Sequence, residues 1–211
     1  SNFPKRGGKC SIWQGGTTGD GFVSGGALHR LRIPSGTILP HLFHAVDWFP
    51  TLARMAGVNR SGTLPMDGVD QLHSLQNTFA DATRDELFVG YAGGYPAGSG
   101  NWTGPAIRYR HHKLVVKGST SLAPDQQHFN MSTLEFELYN VDKDPSEKTD
   151  ISLKYPFLVQ ALTKKMEYYL NTVAPLPKDD PTCPFHPTNT STFGPSFVPW
   201  CEGAKEVVVY E

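Results

Sequence analysis

Lys5-Arg6-Gly7-Gly8-Lys9-Cys10-Ser11-Ile12-Trp13-Gln14-Gly15-Gly16 places three cations and one tryptophan among four glycines. Glycine lets a backbone approach another group closely and takes φ > 0 without a steric penalty. Lysines and an arginine beside such a backbone create an anion-attracting field. A solvated basic turn has the same composition, so the stretch acquires meaning only from the segments C-terminal to it.

Downstream, Val46-Asp47-Trp48-Phe49-Pro50-Thr51-Leu52 leads into Ala56-Gly57. Asp47 reads as a helix N-cap, and Pro50 is tolerated in a first turn whose N–H groups lack intrahelical partners. Phe49, Leu52, Ala53 and Ala56 recur at helical spacing and read as a packing stripe, and Gly57 reads as a left-handed C-cap. Pro65-Met66-Asp67-Gly68-Val69-Asp70 is turn chemistry, with one short helical piece expected near 69–77. Strands are expected at 21–24, 86–91, 106–110, 113–117 and 134–141, the third and fourth forming a hairpin around Arg110-His111-His112. Leu138-Tyr139-Asn140-Val141-Asp142-Lys143-Asp144-Pro145-Ser146-Glu147 ends the last of these, and 147–150 reads as a polar turn with Asp150 as a cap. In 155–173, Leu158, Leu162, Met166, Tyr169 and Val173 recur at three and four residues, the pattern of a long amphipathic helix packed over a small antiparallel sheet. The Gly-rich loop 93–104, with Tyr95 and Trp102, fits both an exposed variable loop and one that stacks on sugars. A terminal edge strand is expected near 207–210.

Taken in order, these segments resemble sulfatase motifs. Lys9 through Gly16 is similar to the family's K-x-x-x-W-E-G-G loop, 47–52 to D-x-x-P-T-L, and 65–70 to P-L-D-G-x-D. Ala106-Ile107-Arg108 with Lys113-Leu114 resembles A-I-R-x-x-x-x-K-L, and 138–147 resembles L-Y-D-L-x-x-D-P-x-E. The subgroup it resembles most is the arylsulfatase B-type enzymes. The fold class implied is α/β: the C-terminal part of a sulfatase (alkaline-phosphatase-like) fold, with the edge of the large mixed sheet plus a small antiparallel sheet packed by a long C-terminal helix. The implied domains are 1–85, the end of the large domain; 86–175, the antiparallel sheet and helix; and 176–211, a Pro-rich tail.

By the same resemblance, Lys9 contacts sulfate and offsets charge as the S–O bond breaks, whereas Lys5 and Arg6 read as solvated. The family's nucleophile is a formylglycine made from the cysteine of C-x-P-S-R. None of Cys10, Cys183 and Cys201 stands in that motif. Formylglycine and calcium are therefore expected on an N-terminal sulfatase chain or segment, with no catalytic residue or metal ligand in this chain. The implied activity is sulfate-ester hydrolysis by the completed protein on a sulfated small molecule or glycan. Two departures stand out: Gln14 replaces the motif's carboxylate, and Thr17, Thr18 and Asp20 stand where relatives carry a cation. They motivate an alternative, a catalytically impaired sulfatase-like matrix or sulfated-glycan-binding glycoprotein.

Composition narrows the class. The chain has 211 residues, 38% of them hydrophobic, 21 glycines, 17 prolines and net charge −1. No global field favours nucleic acid or anionic membrane, and no apolar run of about 18 residues spans a bilayer. Sequons at Asn59, Asn101, Asn130 and Asn189 point to a secretory route, extracellular or lysosomal. Cys183 and Cys201 bracket a Pro/Thr/Ser loop and can pair, a closure that stabilises by about 3 kcal/mol. Cys10 is then a free or buried thiol, or an interchain bridge. The reading leaves room for a homo-oligomer.

Overall fold

Apolar residues on both faces of the same strands, rather than on one, set the architecture. The computed structural model describes residues 1–9, 11–58, 65–90, 102–117, 119–120, 134–172, 188–190 and 194–196. The elements are α1 (Gln14–Thr17), α2 (Ala27–Arg30), a 3₁₀ turn (Ala45–Asp47), α3 (Trp48–Met55), α4 (Leu72–Gln76), β1 (Glu86–Val89), β2 (Trp102–Thr103), β3 (Ala106–Tyr109), β4 (His112–Val116), β5 (Ser119–Thr120), β6 (Phe136–Asn140), a second 3₁₀ turn (Ser152–Lys154), α5 (Pro156–Thr172), β7 (Thr188–Thr190) and β8 (Gly194–Ser196). Residues 1–173 form one compact unit. In the second unit, 174–211, the described part is the antiparallel pair β7–β8.

The main sheet is antiparallel with order β1-β3-β4-β6. Successive side chains of a strand point to opposite faces. Ile107, Leu114, Val116 and Leu138 therefore share one face, where they bury Leu162 and Met166 of α5. Ala106, Val115 and Tyr139 share the other, packed with Ile12 and Val141. Each fully buried aliphatic side chain contributes about 1.5–3 kcal/mol. The sheet is thus the middle layer: α5 covers one side, and the stretch at the start of the chain covers the other. Lys113 has the parity of Val115, and its Cα pairs with Tyr139 on β6, so it faces that starting stretch.

The hairpin β3–β4, β6 and the long helix stand where the sequence places them. The strand expected at 21–24 does not form: the segment is irregular and Phe22 is 86% exposed. A strand needs a ladder partner, and the described residues supply none there. The terminal strand expected at 207–210, and most of the loop 93–104, lie outside the described residues.

Helix α3 differs from expectation on two counts. Gly57 (φ 69°) does end it, with Gly57 N–H on Arg54 C=O and Val58 N–H on Ala53 C=O, the two bonds of a Schellman cap. Its first turn, however, receives no side-chain cap from Asp47. The fully buried Asp47 carboxylate accepts instead from Arg84 Nε (2.9 Å) and Nη2 (2.6 Å), His44 N–H (2.9 Å), Val69 N–H (2.9 Å) and Gln71 Nε2 (3.2 Å). Five donors from four residues outcompete a local cap. The buried residues of α3 are Pro50 and Thr51, and Thr51 Oγ1 donates to Asp47 C=O and accepts from Gln71 N–H. The apolar stripe turns outward: Phe49 is 61% and Leu52 51% exposed.

Burial pushes the Asp47 carboxyl up, but Arg84, the N–H groups of Val69 and His44, and the Gln71 amide outweigh it and hold it below the ordinary aspartate value. A carboxylate lowered in the folded state contributes stability above its unfolded pKa and loses it as pH falls through the folded value. Asp47→Asn should therefore cost about 3–5 kcal/mol near neutral pH, because it leaves Arg84 without its ion. In denaturant unfolding, the gap between wild type and mutant should be constant from about pH 7 to 5 and close below about pH 4; a gap independent of pH down to about 2 contradicts this account.

Candidate functional site

Loop 5–16 is fixed from beneath by charges with no exposed surface. Lys113 and Glu147 are both 0% exposed, with Lys113 Nζ 2.7 Å from Glu147 Oε1. The same ammonium donates to Ile12 C=O at 2.5 Å, and Gln14 N–H donates to Glu147 Oε2 at 2.7 Å. Thus the ion pair holds the backbone on either side of Trp13. Burial lowers the Lys113 pKa and the Glu147 carboxylate raises it, the net effect being downward. Both contacts of Nζ require it as a donor.

Glu147 reaches this position through the turn after β6. Asp144 accepts from Ser146 Oγ (3.0 Å) and from Lys148 and Thr149 N–H (both 2.8 Å), and Glu147 sits at its centre with φ 48°. A non-glycine residue in the left-handed region costs free energy unless its surroundings over-determine it; here the Asp144 contacts and the ion pair do so. Burial raises the Asp144 carboxyl, but the Thr149 and Lys148 N–H groups, with Ser146, bring it below the ordinary value.

From outside, the Arg6 guanidinium lies 3.6 Å from the Trp13 ring centre and donates through Nη1 to Glu147 C=O at 3.1 Å. Trp13 stands edge-on to Tyr139, 5.8 Å between ring centres. The Tyr139 hydroxyl is pushed well above its ordinary value by burial and by its hydrogen bond to Glu137. The paired glycines are a packing requirement. A Cβ on Gly15 would lie 2.4 Å from Gly7 C=O, and one on Gly16 would lie 2.3 Å from Ser11 C=O. Gly15 N–H donates to Arg6 C=O at 2.7 Å, and Ser11 N–H to Gly8 C=O at 3.1 Å closes the turn that carries Lys9.

Lys9 is exposed and has no hydrogen bond or ion pair among the described residues. Arg6, expected to be solvated, is exposed and in addition anchors the loop through the Trp13 ring and Glu147 C=O. The polar turn expected at 147–150 begins with a fully buried glutamate. Asp150, expected as a cap, accepts from Ser152 N–H (2.8 Å) and Leu138 N–H (3.0 Å). The adjacent histidines separate: His111, in the turn, pairs with Asp142, and His112 opens β4. Cys10, Asn59, Asn101, Asn130, Cys183 and Cys201 lie outside the described residues, and Asn189 falls on β7. No group of three His, Cys, Asp or Glu among the described residues could hold a metal ion. Lys113 and Glu147 carry motif resemblance but no role in the sequence reading. The available signal was the parity of Lys113 in a strand apolar on both faces.

No protein-family model matches the chain. Its fold is similar to that of Ps i-CgsB, solved in complex with k-i-k-neocarrahexaose, with TM-score 0.54 and 21% identity over 81% of this chain and 32% of that one. A 2-O GAG sulfatase aligns more loosely, with TM-score 0.41 and 18% identity over 59% of this chain and 24% of that one. The fold is thus similar to that of Ps i-CgsB, and the loop and turn motifs just described resemble those of the C-terminal portion of a sulfatase. Among curated relatives, arylsulfatase J of Mus musculus is 29% identical over 85% of this chain. The chain spans about a third, 34%, of that relative's length.

Gly16→Ala should destabilise the protein by about 1–3 kcal/mol, the usual cost of forcing atoms into filled space. Gly19→Ala, whose Cβ meets nothing within 4 Å, should stay within about 0.5 kcal/mol of wild type. Equal thermal-melting shifts for the two would refute the packed Gly-Gly crossing.

Proposed function

We propose that this segment completes a sulfatase that hydrolyses sulfate esters, and that Lys9 is its contribution to the sulfate pocket. One observation carries the reading: a loop of the K-x-x-x-W-x-G-G form is locked to the sheet from below while its lysine is left exposed, with no partner among the described residues. A lysine ammonium is a compact point charge suited to an anionic oxygen. Set in place before reaction, it stabilises developing charge without reorganising.

The nucleophile and calcium belong to polypeptide preceding this segment. The lack of C-x-P-S-R, the one-third coverage of arylsulfatase J and the outward apolar groups Phe22, Ile38, Phe49 and Leu52 support that reading. Large apolar side chains left this exposed favour burial against a further element. Formylglycine supplies the nucleophile and calcium neutralises sulfate charge when they are present. The residues of this chain hold the loop and present Lys9. The route is secretory, extracellular or lysosomal, as the sequons favour; among the described residues no helix is long and apolar enough to cross a membrane.

The alternative, a binder without turnover, rests on Thr17, Thr18 and Asp20 where relatives carry a cation, and on Gln14. The force of the Gln14 departure is reduced because position 14 enters the clamp through its backbone N–H, which any side chain leaves available. In the complete protein, mass spectrometry should find formylglycine, and Lys9→Ala should lower aryl-sulfate turnover by about 10²–10³-fold. Unchanged turnover in Lys9→Ala removes the role assigned to that residue. Sulfated-glycan binding without any turnover favours the alternative.

A further inference from the structure

We infer that Lys113 and Glu147 are positioning residues for catalysis, acting through Lys9 from beneath the loop; this rests on the reading of Lys9 as a sulfate contact. The two side chains lie 101 and 133 residues from the backbone groups they hold, Ile12 C=O and Gln14 N–H. They satisfy one acceptor and one donor that bracket Trp13, and Arg6 closes the same assembly from the solvent side through the Trp13 ring and Glu147 C=O. Lys9 sits three residues before Ile12, on a turn whose returning segment is pinned at Gly15, in α1, to Arg6 C=O. Its Cα has little freedom to shift while these contacts stand.

Energetics argue that position, not stability, is what the pair supplies. Replacing a buried ion pair by apolar groups of similar size is often neutral or stabilising. A hydrophobic pair at 113 and 147 would pack between Ile12, Val115 and Tyr139, but could not hydrogen-bond the loop backbone at two points. An ion pair does both, and it specifies one register for the loop. An error of about 1 Å in a group facing the reaction costs up to about 10²-fold in rate, so a device that fixes register has kinetic consequences even when it adds nothing to stability.

The test is a cycle in the complete sulfatase, reading kcat/KM on an aryl sulfate and the melting temperature. Lys113→Met/Glu147→Leu removes both charges together, so no lone ion is left buried. It should lower kcat/KM by about 10–10²-fold. Added to Lys9→Ala, it should cause no further loss beyond about threefold, because residues acting through one group are non-additive. Arg6→Ala, at the exposed rim, is the milder companion should the double variant not fold. Its smaller loss should likewise vanish in the Lys9→Ala background. Wild-type kcat/KM in the folded variant overturns the inference, and so do losses that multiply with Lys9→Ala, as a general structural defect would. If Lys9→Ala alone is silent, both this inference and the sulfate role fall. If Lys9→Ala is impaired and the pair variant is not, only this inference falls.

Discussion

A lysine and a glutamate without any exposed surface fasten the start of this chain to its sheet. Charges are seldom buried unless paired and hydrogen-bonded, since desolvation costs several kcal/mol per ion. Here each ion also carries a backbone group of loop 5–16. The pair therefore does more than cancel itself. It gives the underside of a glycine-rich loop the two polar partners that apolar packing cannot provide, and it leaves the upper side free for Lys9. The turn that delivers Glu147 takes a left-handed residue and an Asp144 cap to do so, which makes the D-P-x-E segment a structural counterpart of the loop it supports.

The sheet explains why this works. Both faces of β4 are buried, Leu114 and Val116 under α5, Lys113 and Val115 under the loop. One layer thus couples the long C-terminal helix to the candidate site on the opposite side. A second polar hub, Asp47 with Arg84, Gln71 and Thr51, organises the segment between loop and sheet. It orders α3 through Thr51, leaving Phe49 and Leu52 outside.

Local rules made much of this legible. Alternation located the β3–β4 hairpin and β6. Helical spacing located α5 and the residues it buries, and Gly57 marked the end of α3. The loop motif singled out Lys9 before any geometry was known. Rules that assign charged residues to the surface failed where partners lie far away in sequence. Glu147 read as part of a polar turn because its partners Lys113 and Gln14 lie 34 and 133 residues away. Asp47 read as a cap because Arg84, 37 residues on, cannot be seen from the helix start. The outward stripe of α3 was misassigned for the converse reason: periodicity reports that a helix has an apolar face, not which neighbour covers it.

Amide hydrogen exchange at Gln14 in the complete protein tests the central claim most directly. If the Glu147 carboxylate holds that N–H, Gln14 exchanges as slowly as the ladder amides of β4 and β6. Exchange as fast as that of the exposed residue Gly19 would mean that the loop is not clamped, and the account built on the Lys113–Glu147 pair would be wrong.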